Sequence, residues 1–134
     1  MIGNIVVGVG ADKPKAKPVV TGGTLSSDAT YYYRAFTGNG TLSVTAADLS
    51  ADILVIAGGG SGGTYYRGGG GGAGGLAYYA STNLNGSYTC TIGAGATGGS
   101  TGFNGNNSTF QGLTAAVGGG RGGDYGVGSA EGGN

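Results

Sequence analysis

Apolar and polar residues alternate over short runs along much of this chain, and where the alternation stops glycine takes over. Residues 31–37, YYYRAFT, would place Tyr31, Tyr33 and Ala35 on one face of a strand and Tyr32, Arg34 and Phe36 on the other. Residues 41–45, TLSVT, bring Leu42 and Val44 to one face, and residues 87–92, SYTCTI, do the same for Tyr88, Cys90 and Ile92. The uninterrupted apolar run Ile53, Leu54, Val55, Ile56, Ala57 reads as a buried strand, residues 76–80 (LAYYA) as another, and 108–110 and 113–117 as shorter candidates. Gly38-Asn39-Gly40 sits between two β-prone runs and predicts a hairpin from 31–37 into 41–45, while Asn85-Gly86 is a second turn signal. No window has a useful helical period, so the expected fold is all-β, a small antiparallel β-sandwich-like domain. Tyr31, Tyr33 and Tyr88 are expected to pack within it.

Glycine changes that picture. It occupies 36 of 134 positions, several times the average usage of about 7%. Each glycine gives up more backbone freedom on folding than any other residue, so disorder is the first reading of such a chain. Nine tyrosines, clear aliphatic strands and only 9% charged residues argue against it. Long glycine runs make poor β-strands but suit polyproline II geometry, with three residues per turn and no internal hydrogen bonds. Such segments persist only if neighbouring backbones satisfy their amides, and glycine permits that close approach. Residues 58–63, 68–75 and 118–123 are therefore expected to pack side by side as extended strands. The absence of a G-X-Y period and the scarcity of proline exclude collagen.

The first twenty residues differ from the rest. Ile2, Ile5, Val6, Val7 and Val9 form an apolar run, followed by ADKPKAKP, in which Pro14 and Pro18 favour an extended chain and Lys13, Lys15 and Lys17 cluster. Residues 1–20 read as an N-terminal arm able to dock on a partner through Ile2, Ile5, Val6, Val7 and the three lysines, with an edge strand and loop of the same domain as the alternative. Residues 21–134 read as one glycine-rich β domain.

Charge and chemistry narrow the function. Net charge is zero, which argues against nucleic-acid or membrane-surface binding by bulk electrostatics. No apolar run reaches the about 18 residues of a transmembrane helix, so no membrane insertion is expected. Histidine is absent, removing the commonest general base and metal ligand. The acidic residues Asp28, Asp48, Asp52 and Asp124 are scattered without a calcium-loop spacing. No catalytic residue, cofactor or metal is expected, and Cys90 reads as a small buried strand residue. Residues 58–63 satisfy G-x-G-x-x-G directly after an apolar strand, as a dinucleotide fingerprint does, but TYYRGGGGGAGG cannot form the helix that would hold a pyrophosphate. Arg121-Gly122-Gly123 is one RGG, too little for RNA binding. The candidate partner-binding residues are aromatic and lie beside glycine runs: Tyr65, Tyr66 and Arg67 in the turn between two of them, and Tyr125 after the third.

Taken in order, YYYRAFTGNGTLSVT, ADILVIAGGGSGG, GGGGGAGGLAYY, GSYTCTIGAGATGG and NSTFQGLTAAVGGGRGG resemble the glycine-rich domain of bacteriophage tail-fibre and other virion proteins, over residues 24–123. There is a looser similarity to distal tail-fibre adhesins whose glycine segments pack as a sandwich of polyproline II helices. The resemblance implies a virion location and a structural role at a fibre tip or attachment point, often as a homotrimer. The expected partners are other virion proteins through the arm, a host surface receptor, and further copies of the chain. A capsid decoration protein and a secreted glycine-rich surface or ice-binding protein are the alternatives.

Overall fold

In a computed structural model of the chain, residues 15–63, 68–98 and 102–123 are described, and they contain no helix. Among the described residues six strands form: β1 (Val19–Thr21), β2 (Thr24–Ser27), β3 (Tyr32–Ala35), β4 (Gly40–Ile56), β5 (Leu76–Thr91) and β6 (Thr109–Phe110). Four make one antiparallel sheet in the order β1-β4-β5-β6, and β2 and β3 form a separate ribbon. All pairings are antiparallel, and the all-β expectation holds.

β4 and β5 are unusually long, at 17 and 16 residues against about 5–6 for an ordinary strand. They pair along their whole length, but not straight. Between the pairs Val44↔Gly86 and Leu49↔Leu84, four residues of β4 face the single residue Asn85, and a second register shift lies between Ala51 and Ile53. Ala46 and Ser81 take positive φ at these irregularities, 69° and 51°. A shift of one residue sends every later side chain to the other face. The core side of β4 accordingly moves from Leu42 and Val44 before the bend to Leu49, Ala51, Ile53 and Val55 after it. On β5 it moves from Ala77 and Tyr79 to Leu84, Tyr88 and Cys90. The ribbon thus folds over on itself. Its two halves enclose one core of Leu42, Val44, Val55, Ala57, Leu84, Cys90, Phe110 and Ala116, with the Tyr88 ring stacked on Phe110 at 5.2 Å. Residues 46–52, which interrupt the alternation, lie inside a strand.

The expected hairpin at Gly38-Asn39-Gly40 does not form. Tyr32–Ala35 pairs with Thr24–Ser27, whereas β4 pairs with β1 and β5. A two-residue hairpin of the favoured kind needs positive φ, and none of those three residues has it. Gly22 and Gly23 do, at 95° and 60°, and make the turn from β1 into β2. Arg34 then ties β3 to the chain before that turn, donating to the carbonyls of Val20 (2.5 Å) and Gly22 (3.3 Å). Asn39 is otherwise engaged, its Oδ1 accepting from the Ile92 amide at 2.8 Å. Asn85-Gly86 likewise marks the bend of a continuous strand rather than a separate turn.

The Ser81 irregularity is held by Asp52, whose carboxylate accepts from the Ser81 amide and the Tyr78 hydroxyl, both at 2.8 Å. These bonds, the Ser81 amide first, lower the Asp52 pKa. A carboxylate with a lowered pKa contributes stability that is present above the unfolded value of about 3.9 and is lost as pH falls through the folded value. Asp52→Asn is therefore expected to lower the melting temperature at pH 7, with the difference from wild type shrinking towards pH 2. Thermal melts of both proteins across that range check it; a gap that does not close in acid removes Asp52 ionisation as the cause.

Candidate binding surfaces

Beyond the sheet, five extended segments lie side by side: I (57–63), II (68–75), III (93–98), IV (102–107) and V (117–123). They are joined by backbone hydrogen bonds that recur every third residue. Segment I donates to II from Ala57, Gly60 and Gly63 to the carbonyls of Gly75, Gly72 and Gly69, each at 2.9 Å. Segment II donates to V from Gly69, Gly72 and Gly75 to Gly123, Gly120 and Val117, at 2.7–2.8 Å. Segment V returns to I from Gly119 and Gly122 to Gly58 and Ser61, at 2.8 Å. The three segments form a closed ring of donors. A period of three is that of polyproline II geometry, as expected for residues 58–63, 68–75 and 118–123.

Segments III and IV were not foreseen. Segment IV shows its three phases in turn. The carbonyls of Phe103 and Asn106 accept from Ser61 and Gly58, at 3.0 Å. The Asn104 and Asn107 side chains accept from the amides of Arg121 and Gly118, at 2.8 Å. Gly102 and Gly105 provide the close approach, for a Cβ on Gly105 would lie 2.7 Å from the Gly59 oxygen. The signal was present in the sequence as glycine and asparagine each repeating at a spacing of three, but not as a glycine run. Ser61 locks I to IV, its buried Oγ accepting from the Phe103 amide at 2.8 Å.

The bundle has two ends. At one end Ile56, Leu76, Ile92 and Ser108 lead into the sheet. At the other, Gly63 lies against Gly68 and Gly69, Gly123 accepts from Gly69, and Gly102 packs against Gly62 and Gly122. Residues 64–67 and the residues after 123 therefore start from the same end of the bundle. Tyr65, Tyr66, Arg67 and Tyr125 themselves lie outside the described residues. The arm residues Ile2, Ile5, Val6, Val7 and Lys13 also lie outside them; Lys15 and Lys17 are exposed. Val19 pairs with Thr45 and Thr21 with Ser43, so the chain enters β1 beside the bend of β4. Residues 15–18 thus approach from the end of the sandwich that is opposite the glycine bundle.

Tyr31 and Tyr33 do not pack in the core as expected. They are 64% and 46% exposed, and Tyr32 is 84% exposed. A two-stranded ribbon has no layer to cover both faces, so its aromatic residues remain at the surface. Only Tyr88 of the three predicted packing tyrosines joins the core. The Tyr33 hydroxyl donates to Asp28 at 2.6 Å, and the same carboxylate accepts from the amides of Thr30 and Tyr31 at 2.7 Å. Tyr33 and Tyr78, each bonded to an aspartate, have raised pKa values, so their phenols stay neutral beyond the usual tyrosine range. Cys90 is buried and burial raises its thiol pKa, in keeping with a structural residue. A shallow groove of about 300 Å³ between Gly22, Phe36 and Gly40 is lined by backbone, small residues and a phenylalanine, and no titratable side chain enters it.

The fold and surfaces define an all-β protein with a bundle of extended glycine segments carried on a bent β-sandwich. The chain belongs to the glycine-rich domain family, whose model matches residues 34–134. No curated protein and no solved structure compared with the chain matches it.

Proposed function

We propose that this protein is a non-enzymatic structural component of a bacteriophage virion, a fibre or adhesin element held by its N-terminal arm, with the glycine bundle turned outward. The observation that supports this reading is polarity. The arm enters at the bend of the sandwich, and the connection carrying Tyr65, Tyr66 and Arg67 starts at the far end of the bundle, as does the chain leading to Tyr125. The point where the arm joins the body and the points where these connections leave it are thus at opposite ends, which suits a protein that must bridge a particle and a host surface receptor. In this reading the protein resides in the virion, contacts other virion proteins through residues 1–20, and assembles as a homo-oligomer, a trimer by the family resemblance. The resemblance of residues 24–123 to phage tail-fibre domains supplies the virion context.

Removing residues 1–14 is expected to abolish incorporation into particles while the domain still folds. A Tyr65→Ala, Tyr66→Ala double variant is expected to be incorporated normally but to slow host adsorption at least tenfold. Particle composition by mass spectrometry and adsorption kinetics read the two effects. Normal incorporation without the arm rules out anchoring by it. Particles that adsorb normally but lose integrity when the protein is missing point instead to a decoration role.

A further inference from the structure

Between the bend and the glycine bundle, the ribbon of β4 and β5 has no other strand beside it among the described residues, since β1 and β6 pair only with its other half. Its inner face fills the core. Its outer face carries Leu54 opposite Tyr78 and Ile56 opposite Leu76, exposed by 56–65%. We infer that this outer face is where a second copy of the chain packs. The inference deepens the oligomeric part of the proposed function and gives it a location.

Chemistry favours a copy over a polar ligand. The four side chains form two adjacent cross-strand pairs, and Asp52 beside them is already bonded to Ser81 and Tyr78. With that carboxylate engaged and the chain's net charge zero, bulk charge repulsion does not oppose the meeting of two such faces. Tyr78 alone offers more than half of the about 150–250 Å² that an aromatic side chain buries, and with Leu54, Ile56 and Leu76, each also more than half exposed, it forms the apolar centre of an interface. A standard interface takes about 800 Å² from each partner, and contacts between identical subunits are the more apolar kind. Among the described residues the core of one copy contains eight buried apolar residues, so a paired face would add substantially to the apolar surface removed from water.

Sedimentation equilibrium of the purified full-length chain tests this. The wild type is expected to self-associate at micromolar concentration. Leu54→Lys and Leu76→Glu should each weaken association at least tenfold while retaining the β-type circular dichroism spectrum and a cooperative melt. Phe103→Glu, an exposed residue of segment IV, should associate as wild type. On the unaltered protein, amides of residues 53–56 and 76–80 should gain hydrogen-exchange protection as concentration rises, a readout that needs no variant. A wild type that stays monomeric overturns the inference, as do variants that associate normally. A monomer that self-associates only after residues 1–14 are removed also overturns it, by making the arm the occupant. Because purified protein is used, failure here leaves the virion reading standing, and failure of the particle experiments leaves this one standing.

Discussion

Gly119→Ala is expected to be among the most damaging single-methyl changes in the glycine bundle. A Cβ at Gly119 would overlap the Gly72 carbonyl and lie 2.6 Å from the Ala73 oxygen. These are backbone atoms of segment II and cannot swing aside as a flexible side chain does. Segments II and V would have to part, loosening the bonds from Gly72 to Gly120 and from Gly75 to Val117. Overpacking ordinarily costs about 1–3 kcal/mol; with backbone on the opposing side the loss should reach or exceed about 3 kcal/mol, lowering Tm by more than about 10 °C. The control is Gly70→Ala. No atom lies within 4 Å of a Cβ there and φ is outside the left-handed region, so lower entropy of the unfolded chain should stabilise by about 0.4–1 kcal/mol. Urea unfolding of the two variants checks the sign as well as the size. Equal effects would mean that close approach is not why those glycines are needed.

Leu84→Ala carries the second large effect, from the opposite physical cause. Leu84 is 1% exposed, pairs with Leu49 just after the bend, and fills the core between the two halves of the ribbon. Truncating a buried leucine removes transfer energy and leaves a cavity, which together cost about 2–5 kcal/mol. Leu25→Ala on the exposed β2 strand should cost less than about 0.5 kcal/mol. A fall in urea midpoint for Leu84→Ala no larger than for Leu25→Ala would show that the bend is not held by this core.

How far the sequence could be read depends on which interactions are local. The apolar run 53–57 leading into glycine is visible because period and composition change together, and it is found as the end of β4 and the start of segment I; it is buried on one face only, with Ile53, Val55 and Ala57 toward the core and Leu54 and Ile56 exposed. Residues 58–63, 68–75 and 118–123 are legible because nothing but close packing of extended chains explains so much ordered glycine. Segments III and IV escape notice because alanine, phenylalanine and asparagine fill the phases that do not face a neighbour. The expected hairpin at Gly38-Asn39-Gly40 does not form because a turn motif fixes only what is possible locally. Arg34 bonded to Val20, and Phe36 against Gly23, are contacts between residues far apart in the chain, and they favour the pairing seen. The exposure of Tyr31 and Tyr33 has the same origin, since alternation assigns residues to faces but does not say that a face is left uncovered. Tyr65, Tyr66, Arg67 and Tyr125 lie outside the described residues, so only the points where their connections begin are fixed.

The ring of donors from segment I to II, from II to V and from V back to I also governs the order of events in folding. Segments I and II can meet early, being joined by a short connection, but neither has its full set of partners until residues 117–123 arrive from some sixty positions further along the chain. Every bond to V carries the loop-closure cost of long-range pairing, and glycine adds no side-chain contacts to lower it beforehand. The bundle therefore has no half-built form of comparable stability. It is expected to close late and as a unit, and a cut between 107 and 117 would open the ring rather than trim it.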